Sequence, residues 1–139
     1  MKKMLITLGM TLAFVALAAC GEGGNGGVSA DDRTMAHFVQ AFLDAGFEIT
    51  TFDLNMQMVA VTEIADMDTP FYSMIDAIDG VLFYFNLSPV TIYEYADIAA
   101  LEQAFVDFGF MNAQGWVANG RFVIETNIQE INSFFGGID

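Results

Sequence analysis

A chain of 139 residues has room for one ordinary domain, and a single cysteine gives it no internal disulfide. It carries 18 acidic residues against four basic ones, and beyond residue 19 only Arg33 and Arg121 oppose those carboxylates. Such a field repels phosphate backbones and anionic headgroups, which argues against nucleic acid as a partner and against membrane attachment through a basic patch.

Met1-Lys2-Lys3 is a basic start, and Met4 to Ala16 is apolar with only threonine and glycine interrupting it. That run has the length of a signal segment and falls short of the ~20 residues a membrane-spanning helix needs. Leu17-Ala18-Ala19-Cys20-Gly21 follows. This stretch resembles the lipobox of bacterial lipoproteins cut by signal peptidase II, and the resemblance covers residues 1–21 and matches the motif at every position. It implies that Cys20 becomes the first mature residue, that its sulfur takes a diacylglyceryl group, and that the domain is held outside the cytoplasm. Each buried methylene contributes ~0.8 kcal/mol, so two or more acyl chains hold a soluble domain on a bilayer durably. The competing reading is a plain secretory signal with an incidental cysteine. The expected organisation is a signal peptide at 1–19, a lipidated cysteine with a flexible tether at 20–30, and one domain at 31–139.

Gly21 to Gly27 holds five glycines in seven residues, which makes a tether rather than a phosphate cradle, because no strand precedes it. Ser29 to Ala45 reads as a helix, capped by Ser29 with Asp32, its stripe formed by Met35, Phe38, Val39, Phe42 and Leu43, and closed by Gly46. The only histidine, His37, falls beside that stripe as a partly exposed surface residue. Phe47–Phe52 and Met58–Thr62 have strand composition, although the second run also fits a short helix. Asp66 to Pro70 is a loop.

Asp79-Gly80 suits a tight turn between a run beginning at Ser73 and the strand Val81–Phe85, which reads as covered on both sides. Asn86-Leu87-Ser88-Pro89 is the next turn and Val90–Tyr95 the next strand, so the three runs form an antiparallel meander. Asp97–Phe108 is helical, with Ile98, Leu101, Phe105 and Phe108 on one face. Trp116–Ile124 is a hairpin around Asn119-Gly120, and Ile128–Phe135 is a last short helix capped from Thr126 or Asn127. The fold class is α+β, with a mainly antiparallel sheet and helices packed over one face. The progression Met74-Ile75-Asp76-Ala77, Asp79-Gly80, Tyr93-Glu94-Tyr95 is also similar to small uncharacterised bacterial lipoproteins, a likeness that implies no activity.

Catalytic chemistry finds little to stand on. One histidine, no lysine beyond the signal and a lipidated cysteine leave only His37 or a carboxylate as a base, and no serine occupies a nucleophile elbow. Zinc ligands are absent as a cluster. Glu63, Asp66 and Asp68 are weak calcium candidates, yet their spacing departs from the helix-loop-helix calcium loop, and a solvated acidic loop is the simpler expectation. Tyr93 and Tyr95 share one face of their strand, opposite Val90 and Ile92. With Trp116 they form a candidate ligand-binding group, unless helices or a neighbouring strand cover them. The expectation is therefore a membrane-anchored binding or assembly module for an envelope protein, peptide or glycan, with no catalysis and no cofactor beyond the lipid on Cys20. The alternatives are a carboxylate-dependent hydrolase of cell-wall or nutrient polymers, and a passive spacer or subunit of a larger complex.

Overall fold

The computed structural model describes residues 32–139. The signal segment, Cys20, the glycine tether and the Ser29 cap lie outside the described residues. The first described helix, α1 (Met35–Asp44), starts six residues later than the periodicity predicts, because Thr34 takes the cap position and its hydroxyl accepts from the His37 amide. Its end is as expected. Gly46 adopts φ 86°, its N–H donates to the Leu43 carbonyl, and the Phe47 N–H donates to the Phe42 carbonyl. The Phe42 and Phe47 rings then meet at 5.4 Å across that motif and carry the helix end into the core.

Three hairpins make one six-stranded antiparallel sheet, in the order β2-β1-β3-β4-β6-β5. Strands β1 (Ile49–Phe52) and β2 (Met58–Ala60) are joined by a turn in which Asp53 Oδ1 accepts from the Asn55 and Gln57 amides. Strands β3 (Asp79–Phe85) and β4 (Ser88–Glu94) are joined by Asn86 and Leu87, both at positive φ, as a two-residue loop between right-twisted strands demands. Pro89 is tolerated inside β4. It sits opposite Tyr84, one step from the closing pair Phe85–Ser88, so its nitrogen faces β6, whose pairing with β4 stops at Thr91.

Strands β5 (Val117–Asn119) and β6 (Phe122–Glu125) form the expected hairpin, with its loop shifted by one residue to Gly120-Arg121. Two further sequence expectations change. Asp79-Gly80 is the start of β3 and not a turn, and the run from Ser73 to Ile75 is a single 3-10 turn, so the predicted three-run meander has two strands at this point.

Val81, Phe83, Val90, Ile92, Phe122 and Ile124 point to one face of the sheet and are covered by Phe38, Val39 and Phe42 of α1 and by Ile131 and Phe135 of α4 (Gln129–Gly136). That is the α+β layering expected from sequence. Helices α2 (Ile98–Asp107) and α3 (Phe110–Ala113) lie instead over the opposite face, where Leu101, Ala104 and Met111 pack with Tyr93, Tyr95, Trp116 and Val123. Asp97 caps α2 through its side chain, accepting from the Ala100 amide at 2.7 Å.

Asn119 fastens the end of the chain to this frame. Its amide nitrogen donates to the carbonyls of Phe135 and Ile138, each at 2.8 Å, and its Oδ1 accepts from Arg33 Nη2 at 2.7 Å. Replacing Asn119 by Ala removes two donors from carbonyls and strands a buried guanidinium. We expect Asn119→Ala to lower the unfolding free energy by about 2–4 kcal/mol in chemical denaturation, with no change in the far-ultraviolet circular dichroism of the folded state.

Candidate binding surface

The second face of the sheet is covered at one end and open at the other. The register places Gly80, Tyr93 and Val123 side by side, then Leu82, Thr91 and Glu125, then Tyr84 and Pro89. Over the first row runs the segment around Pro70 and Tyr72. A methyl group on Gly80 would meet Pro70 Cγ at 2.8 Å, so glycine is what lets this segment lie against the sheet. Beyond Leu82 nothing among the described residues continues the cover: Thr50, Phe52, Met58, Leu82 and Tyr84 are all half-buried. Phe52 and Tyr84 pack edge to face at 5.0 Å there. Around this area Leu54, Met56 and Leu87 stand almost fully in solvent, at 103%, 75% and 78% exposure.

The aromatic residues singled out from sequence do gather, but under cover. Tyr93 and Tyr95 face away from Val90 and Ile92 as predicted, yet they are 7% and 0% exposed, and Trp116 is 8% exposed. The open aromatic face expected there does not form, because α2, α3 and the Tyr72–Ile75 segment occupy it. The Tyr93 and Trp116 rings stack at 5.5 Å and 10°, with Phe110 set edge-on to Trp116 at 5.6 Å. The Tyr95 hydroxyl donates to the Ile75 carbonyl at 2.8 Å, and the Tyr93 hydroxyl donates to Glu125 Oε1 at 3.0 Å. Burial pushes the Tyr95 phenol up to about 12, helped by the charge of Asp76. Burial also raises Tyr93 well above the usual phenol range, and the charge and hydrogen bond of Glu125 add to it.

At the boundary between the covered and open parts lies a groove of about 460 Å³. It is lined by Pro89, Thr91, Gln114, Trp116, Glu125, Thr126 and Asn127, of which Thr91 and Glu125 are register neighbours on β4 and β6. Trp116 Nε1 donates to Gln114 Oε1 at 3.2 Å, and Thr126 Oγ1 accepts from the Ile128 amide. Glu125 is the one carboxylate in the lining, and the Tyr93 hydroxyl already occupies one of its oxygens. The groove can take a flat or extended group against Trp116 and offer it amide, hydroxyl and carboxylate partners. His37, the other candidate base, lies on α1 with Nε2 2.7 Å from the Asp139 carbonyl.

The calcium candidates do not converge. Asp66 Oδ2 accepts from the Thr62 amide, the Thr62 hydroxyl and the Glu63 amide, and these bonds hold its carboxyl below the usual carboxylate range. Asp68 accepts from Thr51 Oγ1 at 3.3 Å, and its backbone pairs with Leu82. Among the described residues no three His, Cys, Asp or Glu side chains stand together as a metal site. Sequence reasoning missed the half-buried group Phe52, Met58, Leu82 and Tyr84. The strand β3 reads as covered on both sides, and the one signal against that is the pair Leu54 and Met56 in the otherwise polar β1–β2 turn.

The chain matches no protein-family model, no curated protein and no solved structure.

The phenol shifts fix an alkaline limit to stability. Both tyrosines titrate higher in the folded chain than in the unfolded one, so the unfolded state releases its protons first as pH rises. Their contribution is complete below about pH 10 and is lost above it. We expect the denaturation midpoint to hold steady from pH 8 to about 10 and then to fall. Tyr95→Phe should flatten part of that fall, while costing about 1 kcal/mol at neutral pH through the unpaired Ile75 carbonyl.

Proposed function

We propose that this chain is a lipoprotein anchored through Cys20, and that its domain binds an envelope protein or peptide outside the cytoplasm without catalysing a reaction. The anchor rests on the lipobox resemblance. The binding reading rests on one observation above others: one half of a sheet face is apolar, partly aromatic and open, and it runs directly into a groove walled by Trp116. Large exposed apolar patches are characteristic of surfaces that meet other proteins. A protein or peptide fits this surface better than a glycan does, since Tyr93, Tyr95 and Trp116 are buried and the most exposed side chains around the open face, Leu54, Met56 and Leu87, are aliphatic. The described residues contain no helix long and apolar enough to cross a membrane, so the proposed membrane association is assigned to the lipid.

The hydrolase reading meets a pair of carboxylates elsewhere on the domain. Glu48 and Glu130 both line a second recess of about 350 Å³ beside Phe47 and Asn86. Both carboxylates are exposed, and no buried acid stands with them to act as a proton donor.

Two measurements test the proposal. Metabolic labelling with an alkynyl fatty acid should mark the chain, and Cys20→Ser should abolish the label and move the chain from the detergent phase to the aqueous phase. Capture from detergent-solubilised membranes of the source cells should recover a protein or peptide with the native chain, and Tyr84→Glu should reduce that recovery by about tenfold at unchanged melting temperature. An unlabelled chain would overturn the anchor. Recovery of saccharide alone, or cleavage of a cell-wall glycan by the purified chain that Glu130→Gln abolishes, would overturn the binding reading.

A further inference from the structure

The edge of the sheet next to this open face has its own chemistry. In the β1–β2 ladder the Asp53 N–H donates to the Gln57 carbonyl and the Val61 N–H donates to the Ile49 carbonyl. With the register Thr51↔Val59, those contacts fix the alternation. Phe52↔Met58 and Thr50↔Ala60 are then the pairs whose backbone groups point away from each other. Thr50 and Phe52 turn theirs toward β3, whereas Met58 and Ala60 turn an N–H and a C=O each outward, to where the sheet order of the described residues places no further strand. The next outward N–H, that of Thr62, is taken by Asp66 Oδ2 at 2.9 Å. The free row therefore has a defined end.

Edges of this kind are usually blunted by lysine, proline, a bulge or a covering helix. Strand β2 reads Met58-Val59-Ala60 and has none of these; its shortness, three residues, is all that limits the edge, and its residues are exposed or half-buried. By contrast, α4 lies against the opposite edge, with Val117 Cγ1 of β5 at 3.4 Å from where a Cβ on Gly136 would be. The charges near β2 have one sign. Asp53, Glu63, Asp66 and Asp68 flank it in sequence, and both arginines of the described residues are committed elsewhere, Arg121 to Glu94 and Arg33 to Asn119 and Ile138. An approaching segment thus meets unpaired backbone groups, apolar side chains on both faces of the strand, and an acidic surround.

We infer that β2 is a docking strand, and that its occupant is an extended segment of a partner protein in which lysine or arginine alternates with apolar residues. The segment adds as a seventh strand. Its apolar side chains extend the surface of Met58, Phe52 and Tyr84, and its cations face the carboxylates around β2. Like charge disfavours a second copy of this acidic chain in the same place. The inference rests on the binding reading above and names the edge and the chemistry of the partner.

The test uses a capped octapeptide of alternating valine and lysine, its valine–glutamate counterpart, and a valine–lysine version N-methylated on one edge, each titrated into the purified chain and followed by amide NMR. The valine–lysine peptide should shift and protect the Met58 and Ala60 amides, and its affinity should fall by about tenfold between low and physiological salt. The other two peptides should bind at least about tenfold more weakly, as should the valine–lysine peptide to Ala60→Pro, which deletes an outward donor and leaves the ladder to β1 intact. Equal binding of the N-methylated peptide, or no binding of the valine–lysine peptide, would overturn the docking strand. Shifts confined to Thr91 and Trp116 would also overturn it while leaving the binding module standing. Self-association of the chain through β2 without peptide would replace the cationic partner by a second copy and overturn the inference as stated.

Discussion

Strand β4 buries four consecutive side chains, Val90 to Tyr93, and a strand can do that only with cover on both of its faces. Val90 and Ile92 are sealed by α1 and α4. Tyr93, and Tyr95 beyond it, are sealed by α2, α3 and the segment from Pro70 to Ile75. The second cover is local. It reaches across β3 only as far as Gly80, where the missing side chain admits Pro70, and it stops before Leu82. One helix pair thus completes the first face while the other completes half of the second, and the uncovered half is the surface proposed to meet a partner. The groove beside Trp116 is the step between the two levels.

Charge follows the same division. The described residues hold two arginines, and both are spent at the covered end. Arg121 pairs with Glu94, donates to the Tyr95 and Arg33 carbonyls, and lies over the Phe122 ring, while Arg33 lies over Phe38 and ties Asn119 to the Ile138 carbonyl. These bonds hold the chain's last residues to the β5–β6 hairpin. They also leave neither described arginine near β2. The carboxylates beside that strand therefore stand next to apolar side chains and outward-facing backbone groups, which is the combination behind the proposed cationic partner.

The sequence made much of the fold legible where the signals were local. The α1 stop at Gly46, the helix that follows Asp97, the β5–β6 hairpin and the α+β alternation follow from turn chemistry and periodicity that neighbouring residues supply. The misreadings needed contacts from far along the chain. Asp79-Gly80 has the composition of a turn, but its glycine serves the close approach of Pro70. Asn119-Gly120 has the composition of a loop, but Asn119 closes the ladder opposite Phe122 and spends its amide on Phe135 and Ile138. The site was harder still. Periodicity correctly put Tyr93 and Tyr95 on the face opposite Val90, yet whether a face is covered depends on where α2 returns, which alternation along one strand does not encode. Phe52, Met58 and Tyr84 look like core residues in any window of the sequence, and only the sheet order shows that no layer reaches them.

If the proposed anchoring and docking hold, the open half of the sheet and its β2 edge are occupied when the protein sits in the membranes of its source cells. Hydrogen exchange of the full chain can read this directly, by comparing intact membranes with the purified protein. The account predicts that amides in residues 56–62 and 82–84 exchange markedly more slowly in membranes, while those of α1 and α4 are unchanged. Equal exchange of residues 56–62 in the two preparations would contradict it.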